Sequence, residues 1–271
     1  LDILGGGPFA LDAGQVTDDS ELAFGLLHSI LHNKGYDYND VAIKYIKWYK
    51  SKPFDIGRTI RLALDGAKSY ADVCINSSHH NKESLSNGCL MRISPLAVLS
   101  YSLDNEDIKK CITYDCSMTN PNDICIDAVT CFVYAIKELL KSGDKHKAYD
   151  KALKVCNTQE MFECLVFSKY MVDRIPVTNK HVYTTSDSMY CGYVGVALQN
   201  AFYELLHGTS FEKSMIDIMK RGGDTDTTGC IAGALLGAYY GIDKIPYEWI
   251  DKVHLYNNPR KENYEYIDQD K

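Results

Sequence analysis

The sequence predicts an all-α fold, one compact multi-helix bundle. Apolar residues recur at three- and four-residue spacings along nearly the whole chain, strand-like alternation is almost missing, and no Gly/Ser- or Pro-rich linker divides the 271 residues. A chain of this length can bury a large core, and 45% hydrophobic with 24% charged residues is the composition of an ordinary globular protein.

The elements come in order. In "TDDSELAFGLLHSILHNKG", Leu22, Leu26, Leu27, Ile30 and Leu31 share one helical face and Gly35 ends the run. "VAIKYIKWYK" repeats the pattern with Val41, Tyr45, Ile46 and Tyr49. Further helices are expected over 58–70, 94–102, 124–141, 145–156, 161–171, 190–206, 211–220, 225–240 and 247–256. "KHVYTTSDS" is the one β-like run, and 257–271 is a polar tail. No internal repeat is visible, so residues 1–271 are expected to form a single domain.

A net charge of −7, with basic residues dispersed, argues against binding to a nucleic-acid duplex. No apolar run approaches the length of a membrane span. The opening "LDILGGGPFA" has no initiator Met and no basic segment ahead of an apolar one, so a processed, trimmed or partial chain without a secretory signal is expected. Ten cysteines form no Cys-x-x-Cys pair, and several sit on apolar faces. Free thiols in a reducing compartment are expected, hence a cytoplasmic location with nuclear access open.

Two acidic clusters stand at helix mouths: "TDD", Thr17 to Asp19, and "DTDTT", Asp224 to Thr228. Asp18 with Glu21 reads as a capping box, and Asp224 or Thr225 would cap the second helix. Each cluster nevertheless supplies more oxygens than a cap needs. Neither contains a Lys or Arg, and adjacent carboxylates repel. Oxygen-only donors of this kind suit magnesium, manganese or calcium rather than zinc, and the spacing is not that of an EF-hand. Between the clusters, "KESLSNG" precedes an apolar helix and reads either as a capped loop or as an anion-binding nest at Asn87 and Gly88. His79 and His80 are expected in a loop. Gly229, Gly233 and Gly237 line one helix face, where close packing is expected.

Four segments in this order resemble the ADP-ribosylglycohydrolase family: "GGGPFALDAGQVTDDSELAFGLL", "SNGCLMRISPLA", "CGYVGVALQNAFYELL" and "GGDTDTTGCIAGALLGAYYG". The resemblance implies an all-α fold with a dinuclear cleft for two Mg²⁺ or Mn²⁺ ions. Its metal ligands would be Thr17, Asp18, Asp19, Asp224, Asp226 and Thr227, with one of Asp18, Asp19 and Asp226 acting on a proton. The loop of Lys82, Glu83, Ser84, Leu85, Ser86, Asn87 and Gly88 would cradle ADP-ribose. Asn120, standing where many members carry His, and Tyr193 would complete the ligand wall. The implied activity is hydrolysis of the ribosyl bond of an ADP-ribosylated Arg or Ser side chain, or of a small ADP-ribose conjugate, by a monomer. The family's first helix, with its Gly-Asp-Ala-x-Gly and Glu, has no match here. That departure and Asn120 leave a catalytically silent, crystallin-like relative as the alternative.

Overall fold

Six of the thirteen described α-helices begin where a short polar side chain takes up orphan amides. Asp37, Asp104 and Asp144 each accept two backbone N–H groups of the first helical turn, while Ser69, Asn122 and Ser210 accept one. The computed structural model describes residues 2–172 and 190–256, together with the backbone of 175–177 and 180–182. Its first half holds α1 (Asp18–Asn33), α2 (Tyr38–Lys50), α3 (Arg58–Leu64), α4 (Tyr70–His80), α5 (Ser94–Leu99) and α6 (Asn105–Ser117). Beyond them lie α7 (Asp123–Ser142), α8 (Lys145–Val155), α9 (Gln159–Ser168), α10 (Val194–His207), α11 (Phe211–Arg221), α12 (Thr225–Tyr240) and α13 (Tyr247–Leu255). The all-α reading holds, with one small addition. Strands β1 (Ile175–Val177) and β2 (Lys180–Val182) pair antiparallel, Pro176 opposite His181. The start of the β-like run thus lies in β2; the rest of that run and the 257–271 tail lie outside the described residues.

Several predicted boundaries move: the helix expected over 190–206 starts at Val194, and the one expected over 94–102 is α-helical only to Leu99. The helix expected over 58–70 breaks after Leu64, because Gly66 adopts φ +68° and Ser69 caps a new helix, α4. His79 and His80 therefore end α4 instead of occupying a loop. Helix α6 was not expected: its buried Ile108, Ile112 and Cys116 are a thin stripe in a strongly polar segment.

α7 and α10 form the centre. Nearly every residue from Cys125 to Ile136 is buried, as is Val194 through Phe202, and helices apolar on most sides must be surrounded by others. α7 packs against α5, α6, α8 and α12, and α10 against α9 and α12. α11 lies on α12, where Gly229 and Gly233 admit Met215 and Met219; a Cβ on Gly229 would sit 2.6 Å from the Met219 Cε. Close packing at Gly229 and Gly233 is as expected, but Gly237 has nothing within 4 Å of a Cβ position.

One buried ion pair ties the middle of the chain together. Arg92 and Asp115 are both fully buried, with Arg92 Nη2 3.0 Å from Asp115 Oδ1. The same guanidinium donates to the Gly88 carbonyl at 3.0 Å and to Thr119 Oγ1 at 2.8 Å, and lies over the Tyr45 ring. Because almost all its donors are used, the pair anchors the loop before α5 to α6 instead of leaving a charge stranded in the core.

Candidate active site

The two acidic clusters meet. Asp18, Asp224, Asp226 and Thr227 line one cleft of about 330 Å³, with Asp55 from the loop into α3, Arg58 and Thr59 from the first turn of α3, and Ser86, Asn87 and Gly88 from the segment before α5. Neither cluster caps its own helix: Thr17 and Asp224 are the N-cap residues of α1 and α12, and neither makes a side-chain cap bond. Thr17 instead donates from Oγ1 to Asp19 Oδ2 at 2.9 Å, and Asp224 Oδ2 accepts from Asn87 Nδ2 at 2.8 Å across 137 residues. The loop that carries Asn87 is itself stitched in place. Its backbone N–H donates to the Gly192 carbonyl, and Val194 N–H donates to the Leu85 carbonyl.

Electrostatics set this cleft apart. Among the described residues no Lys or Arg forms an ion pair with Asp18, Asp19, Asp55, Asp224 or Asp226. Burial, then repulsion from Asp55, pushes Asp18 up to about 7, although the Gly57 amide donates to it. Burial, then the neighbouring Asp18 and Asp226, drives Asp19 well above the usual carboxylate range. Asp224 rises to about 6, again mainly by burial, against the stabilising donation from Asn87. Asp55 is raised by burial and by Asp226. Oδ1 of Asp19, itself only 3% exposed, has no hydrogen-bond partner. Crowded, partly orphaned carboxylates without a counter-cation are a donor set that a hard divalent ion would satisfy.

A tighter group exists elsewhere. Asp127, Cys131 and Cys156 bring one ligand atom each within 4.8 Å of one another, which no three cleft acids do among the described residues. Asp127, however, already accepts the Asn157 and Thr158 backbone amides and the Thr158 hydroxyl. Its carboxylate holds the chain ahead of α9, a structural task.

Several expected site residues lie off the cleft. Lys82 and Glu83 are exposed and do not line it. Ser84 is occupied with Thr59, their hydroxyls 2.9 Å apart, and Leu85 packs against the core. Asn120 is fully buried behind Ser86, donating from Nδ2 to the Ser86 carbonyl and hydroxyl and accepting from Thr119, so it supports the wall without forming it. The Tyr193 ring is 5% exposed and packs beside Gly195 and Cys164; its neighbour Gly192 lines the cleft in its place. Asp55, Arg58 and Thr59 were not foreseen. The signal was there in "PFDIGRT", an acid and a base flanking the glycine that caps a helix start.

The sequence profile described as ADP-ribosylglycohydrolase matches residues 1–269. The chain belongs to the ADP-ribosylglycohydrolase family. It is 33% identical over 262 residues to the Acanthamoeba polyphaga mimivirus protein named "Putative ADP-ribosyl glycohydrolase L543", covering 93% of this chain and 78% of that one. To the ADP-ribosyl-[dinitrogen reductase] glycohydrolase of Rhodospirillum rubrum it is 26% identical over 255 residues, with the same coverages of 93% and 78%. A solved structure titled "ADP-ribosylglycohydrolase-related protein complex" superposes with a TM-score of 0.74 at 25% identity, covering 97% of this chain and 83% of its own. Membership across the whole chain makes this glycohydrolase family member an enzyme of that class. No helix among the described residues is long and apolar enough to cross a membrane.

Proposed function

We propose that the chain hydrolyses the glycosidic bond between ADP-ribose and its acceptor, an arginine or serine side chain of a modified protein or the acceptor part of a small conjugate. One observation carries this reading: acids more than 200 residues apart in sequence, Asp18 and Asp226, line a single cleft whose third wall is the Ser86–Gly88 loop. Thr17, Asp18 and Asp19 from one side and Asp224, Asp226 and Thr227 from the other would hold two Mg²⁺ or Mn²⁺ ions. Such ions supply Lewis acidity toward ribose hydroxyls and a bound water of lowered pKa. The oxygen-only donor set and the orphaned Asp19 Oδ1 support that fit.

The protein's own groups do the rest. A ribosyl bond breaks with oxocarbenium character, so a carboxylate near the anomeric carbon must hold or move a proton. Asp18, Asp19 and Asp226 are candidates, and Asp55 joins them as a cleft acid outside the two ligand clusters. Asn87 orients Asp224 through its side chain while its backbone is fixed to Gly192, so the loop meets substrate preorganised. Arg58 is the one Lys or Arg lining the cleft among the described residues, and the diphosphate is the part of ADP-ribose whose charge it complements.

The test is release of free ADP-ribose by the full chain from arginine-linked and serine-linked substrates, with Mg²⁺, with Mn²⁺ and after chelation. Cation-dependent release from at least one substrate is expected. Binding of ADP-ribose without release from any of them would overturn the reading in favour of a silent binding protein.

A further inference from the structure

The last residue of α11, Arg221, sits directly before the Gly222–Gly223 link into the second acidic cluster. Gly222 takes φ 74° with ψ −166°, and Gly223 takes φ 78°. Side-chain-bearing residues rarely adopt such backbone, and two glycines in series leave many orientations open to the next residues. Asp224 has no cap bond of its own to choose among them. From the front it is held by Asn87. From behind, the chain is held by Arg221: Nη1 donates to Asn200 Oδ1 at 2.9 Å, Nη2 pairs with Glu204, and the guanidinium lies 5.3 Å over the Tyr203 ring. Asn200 and Glu204 are 1% and 3% exposed and belong to α10, the central helix on which α12 packs.

We propose that Arg221 is a positioning residue for the second acidic cluster. Pinned to Asn200 and Glu204, it fixes the diglycine link and thereby the direction in which Asp224 and Asp226 face the cleft. The geometry stands on its own; its consequence for a bound cation rests on the reading under Proposed function. Arginine suits the task because its planar fork meets an amide oxygen and a carboxylate at once, which a lysine ammonium cannot do in one fixed orientation. Partners one layer behind the ligands set metal affinity in many sites, typically by about 10–100-fold.

The experiment uses the full chain and two variants. R221K keeps the charge and loses the fork. The double variant R221M/E204M removes both charges, so that no lone carboxylate is left buried. Two readouts are taken: amide hydrogen exchange at residues 222–226 without metal, and the Mn²⁺ dissociation constant. Faster exchange confined to 222–226, and Mn²⁺ binding weakened about tenfold in the double variant with R221K between it and the parent, are expected. Exchange and Mn²⁺ affinity equal to the parent's in both variants would overturn the proposal. Should the double variant fail to fold by circular dichroism, R221K decides. A parent that binds no Mn²⁺ would defeat the cation reading alone, and the exchange comparison would still judge the clamp.

Discussion

Replacing Asp18 by asparagine should stabilise the metal-free protein at alkaline pH, against the usual result of altering a buried polar residue. In the folded chain burial and Asp55 move this carboxyl from 3.8 to about 7. Each unit is worth about 1.4 kcal/mol, so keeping Asp18 ionised costs the fold roughly 4 kcal/mol, an upper bound because water can relax into the cleft. The sign follows from the raised value. The stability Asp18 contributes is fully present below its unfolded pKa and is lost as pH rises through about 7. The asparagine of D18N keeps the shape, can accept the Gly57 amide, and does not titrate. Parent and D18N should therefore unfold together near pH 4. By pH 8 D18N should be the more stable, by up to about 8–16 °C at roughly 2–4 °C per kcal/mol for a chain of this size. Adding Mn²⁺ should reverse the order, raising the parent and not the variant. The assay is thermal unfolding by far-UV circular dichroism after chelation, at pH 4 to 8, with and without Mn²⁺. A metal-free parent at least as stable as D18N at pH 8, together with no gain from Mn²⁺, would show that the Asp18 charge neither burdens the fold nor serves a cation.

Other perturbations act on different links. D224N should lose Mn²⁺ binding by calorimetry while its helical circular dichroism is unchanged, since Asp224 caps nothing. R92M strands Asp115, which is fully buried, and should cost about 3–5 kcal/mol in urea unfolding; R92M/D115M should cost less. In G195A the new Cβ would lie 2.5 Å from Tyr193 Cε1 and 2.9 Å from Cys164 Sγ, and a loss of about 1–3 kcal/mol in the same assay is expected. R58A should raise KM for an ADP-ribosylated substrate several-fold with kcat nearly unchanged, as removal of binding shared by ground and transition states does.

The helical bundle was legible because its longest elements announce themselves by period: α1, α7, α10 and α12 all fall where apolar spacing put them. The acidic clusters were legible as chemistry because capping accounts for one oxygen per helix and each cluster holds several. That they share a cleft was implied by the family resemblance alone, since spacing carries no information about residues more than 200 positions apart. The places of two other expected residues were hidden for a related reason. Asn120 and Tyr193 have side chains suited to a ligand, yet which way they face is decided by Ser86 on one side and Cys164 on the other, partners supplied only by tertiary packing. Asp55 escaped because a lone acid two residues before a helix cap has no periodicity to mark it, and the α3–α4 break turned on one left-handed glycine.

The Asn87–Asp224 bond also dates the site within the life of the molecule. A ribosome adding about 5–20 residues per second finishes α1 roughly ten to forty seconds before it reaches α12. Throughout that interval Asp18 and Asp19 wait without the helix that completes their cleft. A message cut short between Asp19 and Asp224 would therefore yield a chain carrying only one of the two acidic clusters that line the cleft.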